Sequence, residues 1–340
     1  MKRKIYIINK TGAVNNLKLS EGDLPAPGEN EITVEVKSVG LNFADIFSIL
    51  GIYSATPKTP FIPGLEYSGI VKQTGTGVKN FSAGDKIMGV IRFGAYATHV
   101  NIDGNYVVKL PEDWSFNEGA AFLVNVLTAY YALVELGNIK QNQTVLIHSA
   151  GGGVGIYANR IAKKFNAYTI GTTGSPEKID LLKKENYNDF IIRGKNFKHE
   201  LQSKLERNNL ELDLVLECIG GKIFSASYEA LAPQGRLITY GSANFTPRGN
   251  RINFIKAAYR YFTRPKIDPL KMINTNRSVM GFNLIWLWEK KNQFARMLNG
   301  IEKLNLEKPL IGKIFPFENL LNAVKYLQSG KSTGKVVVEI

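Results

Sequence analysis

The residues best suited to chemistry lie in one glycine-rich turn. Ala150, Gly151, Gly152, Gly153, Val154 and Gly155 run together with almost no side chain. A short apolar run, Val145, Leu146 and Ile147, precedes them and suits a buried parallel strand. Ile156, Ala158, Ile161, Ala162 and Phe165 then recur at helical spacing. Bare backbone lets phosphate oxygens approach amide N–H groups, and a helix start adds unpaired donors and a favourable dipole. Ala150, Gly152 and Gly155 form A-x-G-x-x-G, a dinucleotide fingerprint with alanine in the first glycine position. A second apolar run, Ala167 to Thr172, follows where a βαβ unit of ~30 residues needs its next strand. The expectation is a pyrophosphate site, and the alternative is a glycine turn without a ligand.

The elements around this turn follow from periodicity. Ala120 to Glu135 reads as one largely buried helix. Beyond the turn, helices over 178–184, 197–206 and 223–231 alternate with strands over 189–192, 212–216 and 236–240. Such alternation predicts a doubly wound parallel sheet with ligands beyond the carboxyl ends of its strands. Gly220, Gly221, Gly241 and Ser242 stand at those ends. Residues 1 to about 124 read instead as β-rich, with strands at 5–8, 32–39 and 67–72 between Gly/Pro/Asn turns. Pro309 to Phe317, a helix at 320–327 and Lys335 to Ile340 return to that style. The predicted fold class is α/β: a β-rich domain of residues 1–124 with 286–340, and a Rossmann cofactor domain of residues 125–285.

At 340 residues the chain exceeds one comfortable core. No apolar run approaches the ~20 residues of a membrane span. The opening MKRKIYIINK reads as a first strand, not a leader. Cys218 is the single cysteine, which excludes an internal disulfide and a Cys-rich zinc site. The expectation is a cytoplasmic protein. The net charge of +14 fits an anionic ligand, an acidic surface or nucleic acid. No zinc-finger or RNP-type signature accompanies it, so nucleic acid is not expected.

Three further motifs complete the picture: GLNFADIFSILGIY (Gly40 to Tyr53), PGLEYSGIV (Pro63 to Val71) and HSAGGGVG (His148 to Gly155). With these the chain resembles the medium-chain dehydrogenase/reductase superfamily over essentially its full length. Within it, the chain resembles the zinc-free quinone oxidoreductases related to zeta-crystallin. LVNVLTAYYAL, YGSANF and GFNL point further to the vesicle amine transport protein subgroup. The resemblance implies a GroES-like catalytic domain, an NADPH cofactor, a homodimer paired through the cofactor domain's sheet edge, and a quinone or electrophilic carbonyl substrate. An alkenal or enoyl reductase, and a low-activity nucleotide-binding protein at a membrane surface, are the competing implications. The zinc-dependent branch has Cys where Asn42 stands and His where Leu65 stands. Neither replacement can supply a thiolate or an imidazole, so no metal is expected.

The site residues follow. Gly152, Gly153 and Gly155 face the pyrophosphate. The second strand ends in Thr173-Gly174-Ser175 with no acid until Glu177; Lys178 follows, and Arg193 ends the next strand. An uncharged pocket with Ser175, Lys178 and Arg193 suits a 2′-phosphate and therefore NADPH, whereas an NAD enzyme of this design offers Asp or Glu. By resemblance, Asn42 and Tyr53 flank the nicotinamide and hydrogen-bond an acceptor carbonyl; the alternatives are a helix cap at Asn42 and loop packing at Tyr53. Asn125 and Thr128 fall where relatives contact the nicotinamide ribose or amide, with bonding back to their own helix as the alternative. Thr173, Phe282 and Lys335 are added as cofactor contacts on the same resemblance. Asp45 and Glu66 are read as structural partners, His148 as packing and Cys218 as an inert thiol. Thr246 to Arg277 carries eight Lys/Arg, at 248, 251, 256, 260, 264, 266, 271 and 277, against Asp268 alone. It reads as a solvated helical insertion or as a basic amphipathic surface for anionic lipid.

Overall fold

The structure, a computed structural model, describes residues 1–247 and 249–340; Arg248, counted above in the basic segment, lies outside the described residues. In the N-terminal part the elements are β1 (Lys2–Ile8), β2 (Leu17–Asp23), β3 (Glu31–Gly40), α1 (Phe43–Ile49), β4 (Glu66–Thr74), β5 (Lys86–Val90), β6 (His99–Asp103), β7 (Val107–Lys109), α2 (Phe116–Ala120) and α3 (Leu123–Tyr130). The middle alternates: β8 (Thr144–Ile147), α4 (Gly153–Lys164), β9 (Tyr168–Thr173), α5 (Ile179–Lys184), β10 (Asp189–Ile192), α6 (Phe197–Arg207), β11 (Leu212–Glu217), α7 (Gly221–Glu229) and β12 (Leu231–Thr239). Then come α8 (Phe254–Phe262), α9 (Pro269–Thr275), β13 (Ser278–Gly281), α10 (Lys291–Lys303), β14 (Ile311–Pro316), α11 (Leu320–Gln328) and β15 (Lys335–Glu339).

The middle strands form a six-stranded, all-parallel sheet in the order β10-β9-β8-β11-β12-β13. The order reverses between β8 and β11, which is where such sheets open a crevice for a dinucleotide. All four residues of β8 are buried, as a strand covered by helices on both faces requires. A seven-stranded sheet follows β14-β15-β3-β4-β5-β7, with β6 also on β3. Ile32, Val34 and Val36 of β3 bury one face of the alternating run into its core.

The last strand stitches the two sheets together. β15 pairs antiparallel with β3, and the turn before it touches the glycine loop: Gly334 N–H donates to Gly151 O at 2.8 Å. Lys178 reinforces this strap, its ammonium donating to Gly330 O at 2.8 Å and Ser332 O at 2.6 Å.

Ala120 to Glu135 is not one continuous helix. A new helix begins at Leu123 because the Glu66 carboxylate takes the Val124 N–H at 3.0 Å, satisfying a first-turn donor. The final turn widens into a π-type segment, Tyr131–Leu136. The basic segment resolves into two short helices, α8 and α9, neither of which buries a residue.

Candidate functional site

A cavity of about 1210 Å³ opens between the sheets, running from the glycine loop to α8. Asn42, Tyr53, Asn125, Thr128, Gly152, Gly153, Val154, Gly155, Gly241, Ser242, Phe282 and Lys335 all line it. Ala150, Gly151, Thr173, Ser175, Lys178, Arg193 and Gly220 lie outside its wall.

The glycine loop owes its composition to crowding. A side chain at Gly153 would place Cβ 2.3 Å from the Asn125 amide nitrogen, and one at Gly155 would meet Ser149 O at 2.6 Å. Gly152 caps α4, whose first turn brings its free N–H groups to the cavity. Such a bare cradle at the start of a twelve-residue helix fits a pyrophosphate. At its far side Lys178 lies under Gly151, with its Cδ 3.6 Å from where a Cβ would stand, and Arg193 faces Gly174 at 3.4 Å in the same sense. Burial, and then the charge of Arg193, hold the Lys178 ammonium below its ordinary pKa. Two neighbouring cations share this corner, Arg193 being half-buried and donating to Thr172 O at 3.0 Å and Thr172 Oγ1 at 2.7 Å.

Asn125 and Thr128 donate back to their own helix, to Ala121 O at 2.9 Å and Val124 O at 2.7 Å. Tyr53 donates to Asn283 Oδ1 at 2.7 Å, and burial pushes its phenol up to about 12. Asn42 is more constrained than sequence suggests. Its Nδ2 donates to Glu66 Oε1 at 3.0 Å and Gly40 O at 3.3 Å, and its Oδ1 accepts from Lys335 Nζ at 2.7 Å. Its backbone N–H donates to Asp45 Oδ2 at 2.7 Å, which ties the start of α1 in place. Lys335 also donates to Glu66, forming a buried ion pair: Lys335 is 3% exposed and Glu66 1%.

Sequence reading passed over three features. Asn283 lies inside a motif that was singled out, but nothing local marks it as the partner of Tyr53. Glu66 was read as a structural partner without its ammonium. Arg92, exposed at the cavity mouth over Trp286 at 5.6 Å, carried no signal. Cys218 lines the cavity with its thiol raised by burial. His148 is fully buried between Thr172 Oγ1 at 2.8 Å and Ser227 Oγ at 2.9 Å.

A parallel sheet with a glycine loop at its switch point, facing a β-rich domain across an apolar cleft, defines a two-domain nucleotide-binding protein. Residues 28–112 match the alcohol dehydrogenase GroES-like domain family, and residues 189–338 match the zinc-binding dehydrogenase family. The chain is 32% identical to the synaptic vesicle membrane protein VAT-1 homolog-like of Mus musculus, over 97% of this chain and 79% of that protein. It superposes on the human VAT-1 homolog-like protein with a TM-score of 0.84 at 28% identity, covering 100% and 98% of the two chains. CurK enoyl reductase gives 0.83 at 27%, covering 99% of each. Escherichia coli quinone oxidoreductase complexed with NADPH gives 0.82 at 24%, covering 100% of each, which speaks to fold. The chain belongs to the medium-chain dehydrogenase/reductase superfamily, with a GroES-like domain and a Rossmann domain. Within it, the chain groups with the VAT-1 homologs.

The zinc named by the matched family does not fit these residues. Leu65 packs its hydrocarbon with Ala55 and Ile285, and the Asn42 oxygen is held by an ammonium that would repel a divalent cation.

Proposed function

We propose that this protein is a zinc-independent oxidoreductase that uses NADPH to reduce a quinone or a similar electrophilic acceptor. The observation that carries the reading is that one continuous cavity joins a phosphate cradle to an apolar chamber walled by Phe43, Phe47, Leu65, Leu284 and Trp288. Bound NADPH supplies the hydride. The protein's own work is to hold and to exclude water. Gly152, Gly153 and Gly155 receive the pyrophosphate, and Lys178 with Arg193 supplies the charge for a 2′-phosphate. Lys178 must then share its ammonium between that phosphate and the strap carbonyls at 330 and 332. Tyr53 and Asn283 close the acceptor end, where the apolar wall favours a flat, lipophilic molecule.

A fluorescence titration with NADPH and NADH, followed by a quinone panel in the same cuvette, tests this. Tighter binding of NADPH, by tenfold or more, with rapid oxidation by a quinone is expected. Tight binding without oxidation by any quinone moves the reading to an alkenal or enoyl acceptor, for which CurK enoyl reductase is the structural precedent. Binding of neither nucleotide overturns it. Pairing of two copies through the β13 edge, and a cytoplasmic location, belong to the same proposal.

One observation favours a second reading, contact with an anionic membrane surface. Among the described residues, the exposed side chains of Phe254, Ile255, Tyr259, Phe262, Leu270 and Ile273 gather on α8 and α9, interleaved with Lys256, Arg260 and Lys271. Among the described residues no helix is long and apolar enough to cross a membrane, so such contact would be peripheral. Failure to sediment with anionic liposomes at low salt would sink this reading.

A further inference from the structure

The acceptor end needs a group that stabilises negative charge once hydride has arrived, and the residues first expected to do so are committed elsewhere. The Asn42 amide donates to Glu66 and Gly40. Reversing that amide would set its oxygen against the Glu66 carboxylate, so the network fixes its orientation. The Tyr53 hydroxyl donates to Asn283, and its phenol, pushed up by burial, is a poor acid. Thr128 donates to Val124 O, and Ser242 to Asn244 Oδ1 at 3.0 Å.

Three charged side chains line the cavity among the described residues: Arg92, Lys290 and Lys335. Arg92 and Lys290 are exposed at the mouth, whereas Lys335 is buried. Its ammonium has three N–H donors, of which Asn42 Oδ1 and Glu66 Oε1 take two. Glu66 is itself fixed, its other oxygen accepting the Val124 N–H. The Gly40 backbone packs directly on the pair: a Cβ there would lie 2.9 Å from Lys335 Cε and 3.0 Å from Glu66 Cγ. A preorganised cation of this kind, in a site walled by hydrocarbon, stabilises developing charge far better than one in water.

We propose that Lys335 is the electrophilic catalytic residue of this site, held by Asn42 and Glu66 so that its remaining N–H meets the oxygen on which the acceptor's negative charge develops. The inference rests on the reductase reading. Hydride adds two electrons to the acceptor carbon, and the displaced π pair moves to the acceptor oxygen, where the ammonium stabilises it. Lys335 gives up a proton to that oxygen and regains one from water after product leaves; the nicotinamide is the group oxidised. Asn42 and Glu66 act as positioning residues through Lys335.

Two readouts test this. The first needs no turnover: 4-nitrophenol is titrated by absorbance in the NADP⁺-loaded protein. The wild type should ionise the bound phenol about one pH unit below the free value, the scale of a cation in contact. Lys335→Gln, which keeps a donor toward Glu66 but no charge, should abolish that shift. The second is turnover at saturating NADPH, where Lys335→Gln should lower kcat about 100-fold, the scale of one lost oxyanion donor, with NADPH affinity changed less than threefold. If Lys335→Gln does not fold, Lys335→Met combined with Glu66→Gln removes both charges together and carries the same expectations. No shift in the wild type, through failure to bind or otherwise, overturns the proposal, as does an equal shift in the variant. A tenfold loss of NADPH affinity with the phenol shift intact also overturns it, and assigns Lys335 to the cofactor phosphates. Absence of NADPH oxidation by every acceptor sinks the reductase reading alone, and the phenol titration still decides the role of Lys335.

Discussion

At the scale of the residue, one buried imidazole makes stability depend on pH on the acid side. His148 is wholly buried, and burial, then the charge of Arg193, push its pKa well below the ordinary 6.5. Its partners fix one tautomer. Ser227 Oγ donates to Ile223 O at 2.8 Å, so it accepts from Nε2–H; Thr172 Oγ1 accepts from Arg193 and so donates to Nδ1. The unfolded chain takes a proton near pH 6.5 that the folded chain refuses. Stability is therefore fully present above that value and falls as pH drops below it, by up to about 1.4 kcal/mol per pH unit. His148→Gln should flatten this limb, read as melting temperature between pH 7.5 and 5, while costing about 1–2 kcal/mol at pH 7.5 through weakened hydrogen bonds. An unchanged acid slope would assign it to other groups. Asp45 runs the other way. Burial raises it to about 7 from 3.8, so its contribution is complete below pH 3.8 and fades as pH rises through 7.

At the scale of the element, α8 has two apolar faces. Phe254, Ala257, Ala258 and Tyr261 line the cavity at helical spacing. Phe262 reaches the cavity as well, whereas Ile255 and Tyr259 lie on the solvent side, at 85% and 69% exposure. Ile255→Glu with Tyr259→Glu should cut liposome sedimentation several-fold and leave NADPH affinity unchanged, because neither lines the cavity and the cofactor cradle lies at α4. Retained sedimentation would place any membrane contact elsewhere. Sequence alone marked this stretch as basic and amphipathic, but only the fold shows that one face roofs the cavity. β2 was illegible for a different reason: it buries only Leu17 and is held by pairing to β1, so its alternation stops at Leu19 and SEGD carries no strand signal. The alternating strands, the glycine turn and the helix after it were legible because each is specified by residues adjacent in sequence.

For the whole molecule, what sequence could not show is what distance along the chain conceals. Tyr53 and its partner Asn283 are 230 residues apart, and Lys335 stands 293 from Asn42 and 269 from Glu66. Each residue had a bland local reading, and only the closure of β15 on β3 gives the three charged and amide groups one place to meet. That separation also orders events in time. Closing loops of such length costs entropy before any contact repays it, so the ion pair forms late, with the docking of β15 on β3. In refolding from denaturant, recovery of the 4-nitrophenol shift should lag the recovery of tryptophan fluorescence, and coincident recoveries would refute this order. A partly folded chain would thus hold a finished nucleotide sheet while the seven-stranded sheet still lacked β15 and the pocket between them was chemically blank.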